Sequence, residues 1–207
     1  MLNLNNFYYT ANPDVKHEEK HWNFSLLKTT LSFVTDNGVF SKNTVDYGSR
    51  VLIKNVDINE MPAGPILDMG CGYGPIGIFL AKTHPERQFT MVDVNNLALS
   101  LAKQNAELNQ ISNVDIFASD GYQNVTQKYA GIVTNPPVRA GKKVVDEMIT
   151  GSYDHLLDDG TLTVVLQKKQ GAPSAKKLMK QIFGNVQIVK RDKGYYLLKS
   201  RKAAADE

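Results

Sequence analysis

The stretch Asp68-Met69-Gly70-Cys71-Gly72-Tyr73-Gly74 decides how the rest of this sequence is read. It follows the apolar pair Ile66-Leu67 and precedes Ile76, Ile78, Phe79, Leu80 and Ala81, whose spacing predicts a helix packed on a sheet. A strand, a loop over Gly70 to Gly74 and a helix, in that order, put the glycines at the carboxyl edge of a strand. Glycines there let the backbone pass close to a ligand, and the crevice beyond the strand ends is where open α/β sheets bind nucleotides. The same letters admit a second reading. Gly72-Tyr73-Gly74-Pro75-Ile76-Gly77 fits GxGxxG, and Asp93 lies about 20 residues on, as a dinucleotide site requires. Taking Gly72 as the first glycine forces the strand through Gly70 and leaves Asp68 without a role. An acid two positions before the first glycine suits a ligand with a cationic amino-acid end, such as S-adenosylmethionine, better than a pyrophosphate. A dinucleotide and a purely structural turn are the alternatives.

Outward from this stretch, short apolar runs alternate with amphipathic segments, the pattern of βαβ units on a parallel sheet. Gln88 to Asp93, Val114 to Ala118, Gly131 to Thr134 and Leu162 to Leu166 read as further strands; Leu97 to Leu108, Val144 to Leu157 and Ser174 to Phe183 read as helices. Val186 to Lys190 and Tyr195 to Leu198 flank Asp192-Lys193-Gly194, which is hairpin chemistry, so an antiparallel hairpin closes an otherwise parallel sheet. The fold class is therefore a doubly wound α/β sheet. Residues 61–202 form its core and residues 203–207 a frayed tail. Residues 1–60 read as an N-terminal extension: Leu27, Leu31 and Phe33 alternate in a strand, Asp36-Asn37-Gly38 is a turn, and Asp46 caps a helix carrying Val51, Leu52 and Ile53.

With 207 residues, 42% of them hydrophobic and 22% charged, the chain has the composition of an ordinary globular protein with one sizeable core. No run approaches the roughly 18 apolar residues a membrane helix needs, and the first nine residues lack a basic-then-apolar leader, so the expected location is cytoplasmic, with no membrane partner. The single Cys71 makes no internal disulfide, in keeping with a reducing compartment. Net charge is +3, but it is unevenly spread: −1 over residues 1–60, −2 over 61–130 and +6 over 131–207.

Asp93 ends the second strand and Asp120 follows the third, so both should face the crevice beside Asp68. A carboxylate at the first of these positions can accept both ribose hydroxyls, and one at the second can accept from an adenine amino group. Asn135-Pro136-Pro137-Val138 follows the fourth strand. Two prolines end a strand well, but that does not explain an amide directly before them at the same edge. An amine conjugated to a ring is a poor nucleophile because its lone pair is delocalised. Two acceptors aimed at its N–H bonds, the Asn135 side-chain oxygen and the Pro136 carbonyl, would favour the pyramidal, electron-rich nitrogen.

These residues resemble the Class I methyltransferases acting on planar amines. The longer pattern Gly38-Val39-Phe40-Ser41, Asp46-Tyr47-Gly48-Ser49-Arg50, Asp68 to Gly77 and Asn135 to Lys142 is similar to the RsmC type of ribosomal small-subunit RNA guanine-N2 methyltransferase, over roughly residues 7–200, in a short form without the larger relatives' additional N-terminal domain. The resemblance implies a sheet in the order 3-2-1-4-5-7-6 with strand seven antiparallel. It implies S-adenosylmethionine bound through Asp68, Gly70, Cys71, Gly72, Gly74, Asp93, Asp120 and Asn135. Asn135, Pro136 and Pro137 would be catalytic, with ribosomal RNA or the small subunit as partner. Many relatives carry Phe or Tyr after the two prolines, where the ring stacks on the target base. Val138 cannot stack, which leaves base identity open and points to Phe40 or Tyr73 as substitutes. A protein glutamine-N5 or adenine-N6 methyltransferase and a non-catalytic RNA-binding or assembly factor are the rival functions.

Other motifs have plainer readings. His17-Glu18-Glu19-Lys20-His21 matches HExxH, but it lacks apolar helix packing and a third ligand, so no metal is expected. His84 and His155 read as surface residues, and Cys71 between two glycines as a small packing residue. Arg139, Lys142, Lys143, Lys168, Lys169, Lys176, Lys177 and Lys180 cluster after the strands that bear the expected active edge and suit an RNA phosphate track.

Overall fold

The computed structural model describes residues 9–13 and 16–204. Residues 205–207 of the expected tail and the first eight residues of the leader reading lie outside the described residues.

Two antiparallel strands, β1 (Lys20–Leu26) and β2 (Thr29–Thr35), come first. They are joined by Leu27 and Lys28, both at positive φ (49° and 66°), the backbone of a tight hairpin turn. Leu27 was expected on the buried side of a strand; it lies instead at the turn and is 58% exposed, whereas Leu31 and Phe33 are buried. Then follow α1 (Tyr47–Asn55), β3 (Ile66–Met69), α2 (Pro75–Thr83), β4 (Phe89–Asp93), α3 (Asn96–Leu108), β5 (Val114–Ala118), β6 (Tyr129–Thr134), α4 (Lys142–Ser152), β7 (Leu156–Gln167), α5 (Ala172–Phe183), β8 (Gln187–Asp192) and β9 (Tyr195–Arg201).

The large sheet runs β5-β4-β3-β6-β7-β9-β8, parallel except that β9 is antiparallel to both neighbours. Counted from β3, this is the expected order 3-2-1-4-5-7-6. The strand order reverses between β3 and β6, and such a switch point opens a crevice at the carboxyl ends of the strands. Successive side chains of β3 divide between the two faces. Ile66 joins the apolar layer shared with the hairpin, α1, α2 and α3, while Leu67 and Met69 join the layer under α4 and α5.

The helix expected over Val144 to Leu157 stops at Ser152. Its buried positions Val145, Met148, Ile149 and Ser152 continue at helical spacing to Leu156, but Leu156 pairs with Tyr129 and is drawn into β7. Sheet pairing overrides the local periodicity there. The hairpin rests on α3 through two asparagines one helical turn apart. Asn105 Oδ1 accepts from Val34 N (2.7 Å) and its Nδ2 donates to Val34 O (3.0 Å). Asn109 repeats this with Ser32 N and O (2.9 and 2.7 Å). The two amides thus satisfy the open edge of β2 as a neighbouring strand would. Among the described residues no helix is long and apolar enough to cross a membrane.

Candidate active site

At the carboxyl edge of β3, β4, β5, β6 and β7 lies a cavity of about 780 Å³, a size that suits a cofactor-sized ligand. Of the residues read from sequence, Gly70, Cys71, Gly72, Asp93, Asp120, Asn135, Pro136, Pro137 and Arg139 line it. Gly74 does not. It caps the start of α2 at φ 94°, where a side chain would be strained and would meet Ile78 and Met91.

Asp68 does not line the cavity either. Its position in β3 turns the carboxylate beneath the glycine loop, where Oδ2 accepts from Gly77 N at 2.8 Å at the start of α2 and Oδ1 is buried without a partner among the described residues. The expected direct contact with the ligand's amino-acid end is replaced by a brace under the loop. Burial pushes this carboxyl up to about 7; the Gly77 N–H opposes the shift and Asp93 adds to it. Asp93 holds the loop from the other side, Oδ2 accepting from Gly72 N (2.8 Å) and Oδ1 from Asn95 N (2.9 Å). Burial raises its pKa against the pull of the Asn95, Gly72 and Val94 N–H groups. The Cys71 thiol is buried, and burial followed by Asp93 and Asp68 pushes it upward, so it stays protonated and serves packing.

The Asn135 amide is anchored by the N-terminal segment. Its Nδ2 donates to Asp46 Oδ2 at 3.0 Å and to Ser49 Oγ at 3.1 Å. Asp46 is also the N-cap of α1, as its sequence position suggested, Oδ2 accepting from Ser49 N at 3.2 Å. Pro136 O accepts from Val138 N at 2.9 Å in a tight turn, which leaves it one further lone pair. Asp46 and Ser49 line the cavity; the sequence reading makes Asp46 a helix cap and places both in the family-like run Asp46 to Arg50, but assigns neither to the site. The available signal was the run Asp46-Tyr47-Gly48-Ser49 itself.

Of the two proposed stacking residues, Tyr73 is buried in the wall. Its ring meets Trp22 and Phe33 edge-on, and its hydroxyl donates to Thr44 O and Ser41 O (3.3 and 3.4 Å). Phe40 also lines the cavity but is 51% exposed. His84 and His155 are not surface residues but half-buried. His84 Nδ1 donates to Leu80 O at the end of α2, and His155 stacks on Tyr122, a cavity residue, at 4.4 Å. His17 precedes β1 and His21 lies within it, so HExxH here is extended chain and the pair shares no helix face. On α4, Lys142 and Lys143 pair with Asp146 and Glu147. Lys168 and Lys169 are exposed between Gln167 and Gln170, which both line the cavity.

Residues 30–199 match the family described as Methyltransferase small domain. The chain belongs to that family. This methyltransferase is 47% identical over 201 residues to the uncharacterized protein YbxB of Bacillus subtilis (strain 168), covering 96% of this chain and 100% of that protein. It is 37% identical over 141 residues to ribosomal RNA small subunit methyltransferase C of Aeromonas hydrophila, covering 66% of this chain and 40% of the relative. Across seven such methyltransferase C relatives, the aligned part spans 38–54% of their own length. Among solved structures, the T. thermophilus 16S rRNA N2 methyltransferase RsmC, in complex with AdoMet and guanosine, superposes with a TM-score of 0.81 at 22% identity over 92% of this chain and 52% of that one. The fold and the RsmC-type Class I methyltransferase reading of the sequence are borne out, and with them S-adenosylmethionine as methyl donor. The lining fits that donor's nucleoside end, presenting the acidic acceptors Asp93 and Asp120 on the β4 and β5 side of the crevice.

Proposed function

We propose that this methyltransferase acts on an exocyclic amine, N2 of a guanine in small-subunit ribosomal RNA. The observation that carries the reading is the state of the Asn135 amide. Its N–H bonds go to Asp46 and Ser49, so its carbonyl oxygen is the end left to the cavity, next to the Pro136 carbonyl. S-adenosylmethionine, bound against the glycine loop, supplies a methyl group on a positively charged sulfur. The two acceptors bind the amine N–H bonds and favour the pyramidal nitrogen, and that contact strengthens as positive charge develops on the amine. The protein holds nitrogen and methyl in line, a positioning effect of roughly 7 to 11 kcal/mol in favourable systems. No strong base is needed, because the methylated product amine releases its proton readily. A base within paired RNA leaves its stack to reach the cavity.

Relatives named as small-subunit RNA methyltransferases support this substrate. So does the distribution of cations that form no salt bridge among the described residues. The phosphate track starts at Arg139 and continues over Lys168 and Lys169 to Lys193 on the β8–β9 turn, whose Nζ sits 5.2 Å from the Tyr47 ring centre. It does not depend on Lys142 and Lys143, whose charges are matched on α4. Phe40 is the base platform in place of Val138.

The test is methyl transfer from labelled S-adenosylmethionine to small subunits, free ribosomal RNA and peptide release factors in parallel, followed by nucleoside analysis. N2-methylguanosine in RNA is the expected product; label on a glutamine or on adenine N6 would sink the guanine reading. Asn135→Ala should lower turnover about a hundredfold with donor affinity nearly unchanged, and full turnover in that variant would refute the amine-polarising role.

A further inference from the structure

We propose that Asp46 and Ser49 are positioning residues that select the acceptor face of Asn135 and strengthen it; the inference rests on the methyl-transfer reading above. A primary amide has two ends of nearly the same shape and opposite chemistry. Turned by half a rotation, Asn135 would present an NH2 group to the incoming amine, donor against donor, and could not favour attack. Something must choose between the two rotamers, and among the described residues no hydrogen bond from the Asn135-Pro136-Pro137 loop itself does so.

The choice is made 89 and 86 residues earlier in the chain. A carboxylate is an acceptor only, and Asp46 Oδ2 lies 3.0 Å from the amide nitrogen. An amide oxygen at that place would face a carboxylate oxygen, so only the NH2 end is compatible. Ser49 Oγ, 3.1 Å from the same nitrogen, takes up the amide's second N–H. The anion contributes more than direction. A carboxylate accepting from an amide N–H draws the nitrogen lone pair into the carbonyl and makes its oxygen more negative, hence a stronger acceptor toward a target amine that becomes cationic as it reacts.

The run Asp46-Tyr47-Gly48-Ser49 is built for this arrangement. Asp46 fixes its own carboxylate by capping α1, with Oδ2 shared between Ser49 N and Asn135 Nδ2. Ser49 is buried on the first turn of α1, three residues on and on the same side. Gly48 leaves room for both neighbours: a β-carbon there would lie 2.9 Å from the Tyr195 ring and 3.1 Å from Asp46 Oδ2. A side chain at position 48 would therefore displace the carboxylate or the ring.

A cap alone would also explain an aspartate at position 46, so the test must separate the two roles. Asparagine caps helices as well as aspartate does, and Asp46→Asn keeps the shape while removing the charge and the acceptor-only character. The expected result is a turnover about tenfold lower with the folding midpoint and the S-adenosylmethionine dissociation constant unchanged; Ser49→Ala gives a smaller loss of the same kind. In an Asn135→Ala background, Asp46→Asn should cost nothing further, because the group it acts through is gone. If the two losses multiply, Asp46 does not act through Asn135 and the proposal falls. A second readout needs no substrate. With 15N-labelled asparagine, the Asn135 side-chain protons should exchange slowly with water in the wild type and quickly in Asp46→Asn. Equal exchange in both proteins overturns the clamp. Should the amide respond while the wild type methylates no amine, the clamp stands and the reaction reading is what fails.

Discussion

Replacing Asp68 by asparagine should change how stability depends on pH more than it changes stability at any one pH. The carboxyl is 1% exposed, has a single hydrogen-bond partner among the described residues, Gly77 N, and is pushed by burial from 3.8 to about 7. Its folded form therefore holds a proton more tightly than the unfolded chain does. Well below pH 4 both states are protonated and the group imposes no penalty. As pH rises from about 4 to about 7 the unfolded chain ionises first and stability falls; above about 7 the loss is complete. A shift of about three pKa units corresponds to about 4 kcal/mol. Asp36, which burial pushes up but the Glu18 N–H, His17 and the Asn37 N–H together bring below its ordinary value, gives the opposite trend, so the wild-type curve alone mixes several groups. The difference between wild type and Asp68→Asn isolates this one, since asparagine keeps an oxygen for Gly77 N and loses the charge. Urea unfolding at pH 4, 5, 6, 7 and 8 without S-adenosylmethionine should show wild type losing about 4 kcal/mol relative to the variant across the range. Parallel curves would mean that the carboxyl titrates as if solvated and that the loop is not sealed over it.

The hairpin and the mouth of the cavity give three further tests. Asn105→Ala removes the partners of Val34 N and O and of Tyr73 O, all in buried surroundings, and should cost about 3 kcal/mol or more in thermal or urea unfolding, with faster amide exchange in β2; a loss under 1 kcal/mol would mean that the hairpin is held by its apolar face alone. Replacing Lys168 and Lys169 together by alanine should reduce the slope of log affinity for ribosomal RNA against log salt by about 1.4 to 1.8, whereas the Lys142 and Lys143 pair should change it less because Asp146 and Glu147 already neutralise it; the reverse ranking would move the track onto α4. Phe40→Ala should raise KM for RNA severalfold while leaving S-adenosylmethionine affinity intact, and identical kinetics would remove Phe40 as the base platform.

The sheet was legible because strands buried on both faces, such as Tyr129–Thr134, read as unbroken apolar runs bounded by loops. Val114–Ala118 was located residue for residue, and Phe89–Asp93 and Asn96–Leu108 to within one. β1 was not legible. Its sequence Lys-His-Trp-Asn-Phe-Ser-Leu places polar residues on an exposed face and, on the other, the partly buried Lys20, Trp22 and Phe24 before the buried Leu26, so the apolar signal is weak. The site divides in the same way. Asp93, Asp120 and Asn135 were found because a strand end alone commits a residue to the crevice. Asp68 was misplaced by one step of the same logic: the last residues of a strand alternate between faces, and its side chain goes to the α2 side with Ile66 while the next residues form the lining. The Asp46 to Asn135 and Asn105 to Val34 bonds span 89 and 71 residues. Contacts of that length leave no periodicity for sequence reading to detect.

Residues 39–49 have a geometric reason to be part of the site. Every loop that follows β3 to β7 leaves the same edge of the sheet, so these loops line one crevice together. An amide at the end of β6 needs partners on its far side if only one of its ends is to meet the substrate. α1 supplies them from a position before β3 in the chain, lying against β7 and β9 with Val51, Leu52 and Ile53 buried in the core that holds Val165 and Leu197, and with the Tyr47 ring meeting Tyr195 at 5.6 Å. That packing joins the amide's anchor to the β8–β9 turn, which also carries Lys193 beside Tyr47. A phosphate seated on Lys193 and a base seated at Asn135 would therefore bear on the same helix. Substitutions at Tyr195 that loosen α1 should then lower turnover and RNA affinity together, whereas changes confined to Lys168 and Lys169 should lower affinity alone.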